Sequence, residues 1–486
     1  MVGVFAKIII SLYFITVILI LGYTVSQFLL FLSYYFKKRK TFTFDAQYLP
    51  FVTIQLPIYN EKYVVEDLLR NIVEIDYPSE KLEIQVLDDS TDDSLALTEK
   101  LIMELRATGI DIKHIHRSKR VHFKAGALRE GLNTAKGEFI AIFDADFLPQ
   151  KDWLLKTVGY FINPKIGVVQ ARWQHTNRYF SILTRVQAMA LDHHFSIEQQ
   201  GRNTQNDFIN FNGTAGIWRK ECILDAGNWE GDTLTEDLDL SYRAQIKKWQ
   251  FVYLEDLETP SELPVAMSAI RSQQFRWNKG GAENLVKNLP KVLKAKDLNL
   301  KTKVQAVAHL LNSSVFLWVF LLTLLSVPLS YAAQLEPKFS QILVVGTLLK
   351  LNIVLLGLVF YLTYRKFQSN KWRHIPNFIG QFLVFFPVIL SLSFHNSMAV
   401  LEAYFGIKSD FVRTPKFNLK SNQSQWKSNQ YLNKKIGLNV LIELFLAIFF
   451  AFGVFLDFKM ENYMLMPFHG ILVVGYLYIV IKSIND

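Results

Sequence analysis

The stretch EFIAIFDADFLP, from Glu138 to Pro149, is an apolar run that stops at two aspartates one residue apart, Asp144 and Asp146. Carboxylates at that spacing on the end of a buried strand can hold a divalent cation through hard oxygen ligands, and such a cation can bridge a diphosphate. A second acidic pair, Asp88 and Asp89, closes the apolar run LEIQVL, and TEDLDLSYRA puts Asp237 near a prospective helix start. An aspartate in a cleft can take the proton of a hydroxyl that is otherwise a poor nucleophile. The run QQFRW adds Gln273, Arg276 and Trp277. A guanidinium there suits a departing phosphate group. Plainer readings stand beside these: a polar loop capping a strand, acids favoured by a helix macrodipole, a core tryptophan, a solvated arginine. Asp92 and Asp93 in DDSTDDS read as a turn or N-cap only.

Something must bring these groups together. Between Phe51 and about Pro290, short apolar runs alternate with amphipathic ones: FVTIQLPIYN, VVEDLLRNIVEI, LEIQVLDDSTDDS, SLALTEKLIMELRATG and IKHIHR. That β-α-β-α-β order predicts a parallel sheet with right-handed crossovers. Ligands of such sheets bind at the carboxyl ends of the strands, where both acidic pairs fall. The sequence has no G-x-G-x-x-G after the first strand and no G-x-x-x-x-G-K-[ST], so phosphates are not neutralised by a Gly-rich cradle.

A composition 50% hydrophobic and 14% aromatic is too apolar for a wholly soluble chain, so part of it must sit in lipid. Runs near Val4–Phe36, His309–Ala333, Ile342–Tyr364, Ile436–Phe458 and Met464–Ile481 reach the roughly 20 residues that span a bilayer. The first is longer than a signal peptide and lacks a small-residue cleavage site before KKRK, which reads as a retained anchor. The net charge of +10 is accounted for by Lys and Arg on cytoplasmic flanks, with no need for nucleic acid. Lys37, Lys38, Arg39 and Lys40 place residues 41 to about 300 in the cytoplasm. Phe378–Phe405, with Pro387 inside it and basic residues at both ends (Arg365, Lys366, Lys371 and Arg373 before, Lys408, Arg413, Lys416 and Lys420 after), reads as a re-entrant or interfacial hairpin. The connections AQLEPKFS and DFKMENYM, poor in positive charge, fit the outer face, and the crossings then leave the N-terminus outside and the C-terminus inside. The lone Cys222 reads as packed core.

The succession LPIYNE, LDDSTDDS, HFKAGALREGLN, FDADF, TEDLDLSYR and QQFRW, over about residues 50 to 280, resembles the processive family 2 glycosyltransferases, the cellulose synthases and related mannan and glucan synthases. The resemblance implies an α/β GT-A domain inserted between transmembrane helices of a multi-pass membrane protein. Its divisions are an anchor at 1–40, a catalytic domain at 41–300 and a membrane region at 301–486, the last carrying the hairpin 378–405 and a gating-loop-like segment at 409–416. It implies a UDP- or GDP-linked sugar donor and Mg²⁺ or Mn²⁺. Residue by residue, Asp88 and Asp89 match carboxylates that contact base and ribose, Lys124 the lysine near the nucleotide, and Asp144 and Asp146 the D-x-D that meets ribose and metal-diphosphate. Asp237 matches the catalytic base, and Gln273, Arg276 and Trp277 the motif between acceptor and diphosphate. SDFVRTPKF resembles the gating loop, which implies that Phe411 and Thr414 cover the donor, although its valine falls one place early. QARWQHTN and NFNGTAG lie where the family has acceptor-facing loops, and Trp173 and Trp277 can stack on sugar rings.

The expected activity is inverting transfer of a sugar onto a growing β-linked polysaccharide, in the inner or plasma membrane with the catalytic domain cytoplasmic. An aspartate base and attack opposite the leaving diphosphate give inversion without a second, nucleophilic carboxylate. One alternative places a single sugar on a lipid. Another, of a different class, is a transporter with a degenerate soluble domain, for which Glu443 and Lys350 are the intramembrane charges to inspect.

Overall fold

The computed structural model describes residues 2–335, 340–367, 374–419, 425–432 and 437–486. The outer connection expected at 333–340, the flanking residues Lys371, Arg373 and Lys420, and the side chain of Lys350 fall partly or wholly outside the described residues.

The middle of the chain folds around one sheet of seven strands: β1 Val52–Ile58, β2 Leu82–Asp88, β3 Ile112–His116, β4 Phe139–Ile142, β5 Ile166–His175, β6 Gly216–Arg219 and β7 Gln250–Ser261, in the order β3-β2-β1-β4-β6-β5-β7. β1 to β4 are parallel, as the alternating pattern requires. The sheet as a whole is mixed, because β6 runs antiparallel between β4 and β5. Both faces are covered, which explains why β1 and β4 are buried along nearly their whole length. Polar residues within this core pair with each other: Thr53 Oγ1 donates to Glu83 at 2.7 Å and Gln55 Nε2 to Gln85 at 3.1 Å. Cys222 is fully buried, and burial pushes its thiol pKa up.

The topology sets the site. β1 is central, with β2 on one side and β4 on the other, and its register pairs Ile58 with Asp88. The chain therefore leaves β1, β2 and β4 at one common edge, beside the crevice where the strand order reverses.

Five described helices are long and apolar enough to cross a membrane: Gly3–Phe36, Ser314–Leu335, His374–Tyr404, Leu438–Lys459 and Met466–Asn485. Ser340–Lys366 is a further long helix. The stretch expected as a hairpin is instead one continuous helix, His374–Tyr404, with Pro387 inside it. A proline in a membrane helix is tolerated when neighbours re-satisfy the freed backbone. The helix continues through Pro387, whose missing N–H would have bonded the Leu383 carbonyl, and the last helix packs closely there: a Cβ at Gly475 would lie 2.4 Å from the Pro387 carbonyl oxygen. The first helix is fastened to the middle region by the buried Glu255, which pairs with Arg39 and with Lys366, each at 2.5 Å, and accepts from Tyr34 at 3.0 Å. Contact is close at Gly201, where a Cβ would lie 2.8 Å from the Leu30 carbonyl oxygen.

Candidate active site

The carboxyl edge of the sheet carries alternating acids and bases. Lys124, at the start of helix Phe123–Thr134, donates to Asp144 Oδ1 at 2.5 Å and to the Gly213 carbonyl at 3.0 Å. Burial alone would lower this ammonium's pKa, but Asp144, Glu236 and Asp237 outweigh it and hold it above the usual lysine value. Asp89 accepts a two-pronged bond from Arg117, at 2.7 and 2.5 Å. The segment after helix His374–Tyr404 returns to this edge: Lys416 Nζ lies 2.8 Å from Asp146 Oδ1, and Arg413 pairs with Glu61 at 3.1 Å while donating to the Tyr59 carbonyl at 2.9 Å. Burial pushes the Glu61 carboxyl up to about 7, against the pull of Arg413 and Lys416.

Facing this edge is the start of helix Glu236–Ile246. Asp237 Oδ1 accepts from the Leu238 N–H at 2.8 Å, which leaves Oδ2 toward Gly213. Gly213 has φ +77°, and a Cβ there would stand 3.0 Å from Asp237 Oδ2, so glycine serves both the turn and the approach. Burial first, and neighbouring Glu236 second, push Asp237 up to about 7. From helix Met267–Lys294 comes Arg276, whose Nη2 donates to Thr414 Oγ1 at 2.7 Å and whose guanidinium lies 4.4 Å from the Phe411 ring centre. Burial lowers its pKa to about 10. Phe411 also stacks on Phe123, 5.7 Å between ring centres. The Trp173 and Trp277 rings stand 6.4 Å apart on the same wall.

Of the residues singled out from the sequence, all but Asp88 line one cavity of about 170 Å³. Asp88 is fully buried beneath it, accepting from the Ser90 N–H at 2.8 Å and lying 3.0 Å from His114 Nε2, so it holds the strand end while Asp89 faces the opening. Asp92 accepts from the Ser94 N–H at 3.0 Å as a turn group, and beyond the turn expected it also accepts from Tyr431 Oη at 2.5 Å. Glu61, Glu236 and His175, which the sequence reading passes over, also line the cavity, as do Arg413 and Lys416 of the segment 409–416. Glu61 follows the end of β1 as Asp89 and Asp146 follow theirs, so the same strand-end argument reaches it. Local pattern places Arg413 and Lys416 in the segment 409–416 but not their partners, Glu61 and Asp146, which follow distant strands.

Whether this edge suits a divalent cation can be judged from Asp146. Its Oδ1 is buried, accepts no well-aligned hydrogen bond among the described residues, and lies 2.8 Å from the Lys416 ammonium. A hard oxygen in that state, with Asp144 and Glu61 lining the same cavity, fits a hard cation. Another acidic cluster, Glu230, Asp232 and Asp239, converges elsewhere, but the Lys287 ammonium sits on all three at 2.6, 2.6 and 3.1 Å and makes it an ion-pair cluster.

Comparison with known proteins adds the following. Residues 50–280 match the family described as glycosyltransferase like family 2. A probable glucomannan 4-beta-mannosyltransferase 4 of Oryza sativa subsp. japonica is 42% identical over 277 residues, 56% of this chain and 50% of that protein. Glucomannan 4-beta-mannosyltransferase 9 of Arabidopsis thaliana is 36% identical over 346 residues, 68% of this chain and 65% of that protein. The chain spans about half the length of the first curated relatives it matches. Among solved structures, mannosyltransferase PcManGT from Pyrobaculum calidifontis, in complex with GDP-Man and Mn2+, aligns with a TM-score of 0.54 at 19% identity, over 84% of this chain and 100% of that one, a likeness of fold.

Proposed function

The chain carries a glycosyltransferase family 2 domain across residues 50–280, and from that premise we propose that it is a membrane-embedded inverting transferase that extends a β-linked polysaccharide, with a nucleotide-diphosphate mannose as donor. The observation that carries this is the single cavity in which Asp237, the D-x-D, Arg276 and two tryptophans meet. The mannosyl choice is drawn from relatives named glucomannan 4-beta-mannosyltransferases.

Asp237 takes the proton of the acceptor hydroxyl, and its raised pKa makes it a competent base near neutral pH. The hydroxyl attacks the anomeric carbon opposite the leaving diphosphate, so the configuration inverts. Arg276 and Lys124 lie where charge grows on the departing nucleotide and stabilise it. A divalent cation held by Asp146 and Asp144 would supply further neutralisation of the diphosphate. Trp173 and Trp277 offer faces for the sugar at the chain end. The basic flank Lys37–Lys40 supports a cytoplasmic catalytic domain, and Arg413 and Lys416 require the segment 409–416 to lie on that same side. Glu443, inspected as an intramembrane charge, pairs with Arg271 at 2.5 Å and so bridges two helices.

The segment 409–416 acts as a cover. With it in place the cavity holds about 170 Å³, below the roughly 300–1,000 Å³ of small-molecule sites, so the donor enters only when the segment shifts. Deleting Ser409–Lys416 is expected to raise the donor KM about tenfold, the scale of a charge-assisted hydrogen bond, with the fold retained by circular dichroism. An unchanged donor KM would mark the stretch as a plain linker.

The function itself is tested by incubating purified protein in lipid nanodiscs with a panel of UDP- and GDP-sugars and Mg²⁺ or Mn²⁺, then sizing the product. A mannose polymer is expected, and one sugar on a lipid would refute the polymerase reading. Trp277→Ala is expected to shorten the chains more than it slows donor hydrolysis, because a chain-holding ring acts on the acceptor. Equal losses in both assays would remove the acceptor role from that ring.

A further inference from the structure

Glu198 is a carboxylate only 4% exposed that the chemistry above leaves unused. It lies in the π-helical turn His194–Gln200, which continues helix Ile182–His193, and such turns recur at functional sites. Its Oε1 accepts from Gln27 Nε2 at 2.7 Å and from Asn312 Nδ2 at 2.9 Å. Gln27 belongs to the apolar helix Val2–Phe36, and Asn312 stands just before Ser314–Leu335. Its Oε2 meets His194 Nδ1 at 2.7 Å, and His194 Nε2 lies 3.2 Å from Asn212 Oδ1 on the cavity wall. Burial opposes ionisation of Glu198, but Arg202 and His194 hold its carboxyl well below the usual range. One buried anion thus joins two membrane helices to the catalytic cavity.

Asn212 is the cavity end of this relay. Its Oδ1 also accepts from Asn210 Nδ2 at 2.7 Å, and its backbone N–H donates to Gln170 Oε1 at 3.0 Å, so both the side-chain oxygen and the main chain are held. Its Nδ2 is buried with no hydrogen-bond partner among the described residues. A buried donor without a partner calls for an explanation, and a ligand is the direct one in a cavity wall. Asn212 immediately precedes Gly213, where a Cβ would stand 3.0 Å from Asp237 Oδ2. Gln199, beside Glu198, braces the same loop by donating to the Asn210 carbonyl at 2.7 Å.

We infer that Glu198 is a positioning residue for the acceptor: through His194 it holds Asn212 so that Nδ2–H meets an acceptor hydroxyl beside Asp237, and through Gln27 and Asn312 it ties that setting to the membrane helices. This rests on the transferase reading above. Asp146 and Arg276, to which that reading gives the donor's diphosphate, have Lys416 and Thr414 as partners and share no hydrogen bond or ion pair with Glu198, His194 or Asn212 among the described residues. Loss of the relay therefore weakens acceptor use and leaves nucleotide binding alone, whereas a carboxylate that only glued the first helix to the domain would affect both alike.

The test uses the full chain in lipid nanodiscs with GDP-mannose and Mn²⁺, reading mannose incorporated per nucleotide released, product length, and GDP affinity by calorimetry. Glu198→Gln keeps the size and the contacts to Gln27 and Asn312 but turns an amide toward His194; sugar incorporated per nucleotide is expected to fall about tenfold, the scale of a hydrogen bond to a charged group. GDP affinity is expected to stay at the wild-type value. His194→Phe, which cuts the relay at its cavity end, is expected to do the same, and serves if Glu198→Gln folds poorly. Unchanged coupling in both variants would overturn the proposal, as would GDP affinity falling in step with coupling in both. A wild-type chain that incorporates no sugar from any nucleotide-sugar would overturn the transferase reading first, before any variant is compared.

Discussion

Asp237→Asn is expected to lose transfer by about 10²–10⁴-fold, the contribution of a positioned general base, while donor nucleotide binds as before. The amide is nearly isosteric with the carboxylate and keeps an oxygen to accept from the Leu238 N–H, so the helix start survives. It cannot accept the acceptor's proton. Because burial and Glu236 raise this group to about 7, wild-type kcat/KM is expected to fall on the acid side of that value, where the base is protonated. The same shift has a sign in stability. A carboxyl raised in the folded state is neutral in both states at low pH, and its folded form is penalised as pH climbs through the raised value. Asp237→Asn is therefore expected to melt higher than wild type at pH 8, with the difference vanishing below about pH 4, the unfolded carboxyl value. Turnover within a hundredfold of wild type would remove Asp237 from the role, and an identical melting temperature at pH 8 would show that its burial costs nothing.

Asp146→Ala is expected to abolish the dependence of nucleotide binding on metal. Wild-type affinity for UDP or GDP should tighten across a Mg²⁺ or Mn²⁺ titration, and the variant should show a flat response. A loss of at least about 100-fold in apparent metal affinity is expected, the upper end of what removal of even an outer partner of a metal site costs. The geometry adds a second expectation. Lys416 pairs with Asp146 at 2.8 Å, so a divalent cation held by this carboxylate would compete with that ammonium. Lys416→Ala should then bind metal more tightly in the absence of nucleotide. Calorimetry with the metal alone reads both variants, and an unchanged titration for Asp146→Ala would remove it from the metal site.

Much of this molecule is legible in local pattern. Short apolar runs with acids at their ends give β1, β2 and β4 and put Asp89, Asp144 and Asp146 at one edge, because a parallel sheet leaves all its carboxyl ends together. Runs of apolar residues beyond the bilayer length give the long helices directly. The order of short motifs from LPIYNE to QQFRW points to the family 2 domain.

The tertiary structure decided what local pattern cannot carry. β6 is only four residues long, and its antiparallel place between β4 and β5 follows from pairing partners far apart in the chain. Pro387 reads as a break in the sequence, yet it is buried against the last helix at Gly475, and one helix runs from His374 to Tyr404 where a hairpin is expected. Asp88 and Asp89 are equivalent in sequence, but alternation along an extended chain sends one under the sheet edge and the other into the cavity. Arg413, Lys416 and Glu198 carry no local mark of their partners across the fold. Packing between distant segments brings Glu61 and Asp146 to the first two, and to Glu198, already flanked by His194 and Arg202 one turn away on either side, it brings the amides of Gln27 and Asn312. Side-chain periodicity is a property of neighbours along the chain, while the pairing of buried charges is a property of whatever the fold sets next to them, and that is why the sequence yields the chemistry's residues and only the fold yields their partners.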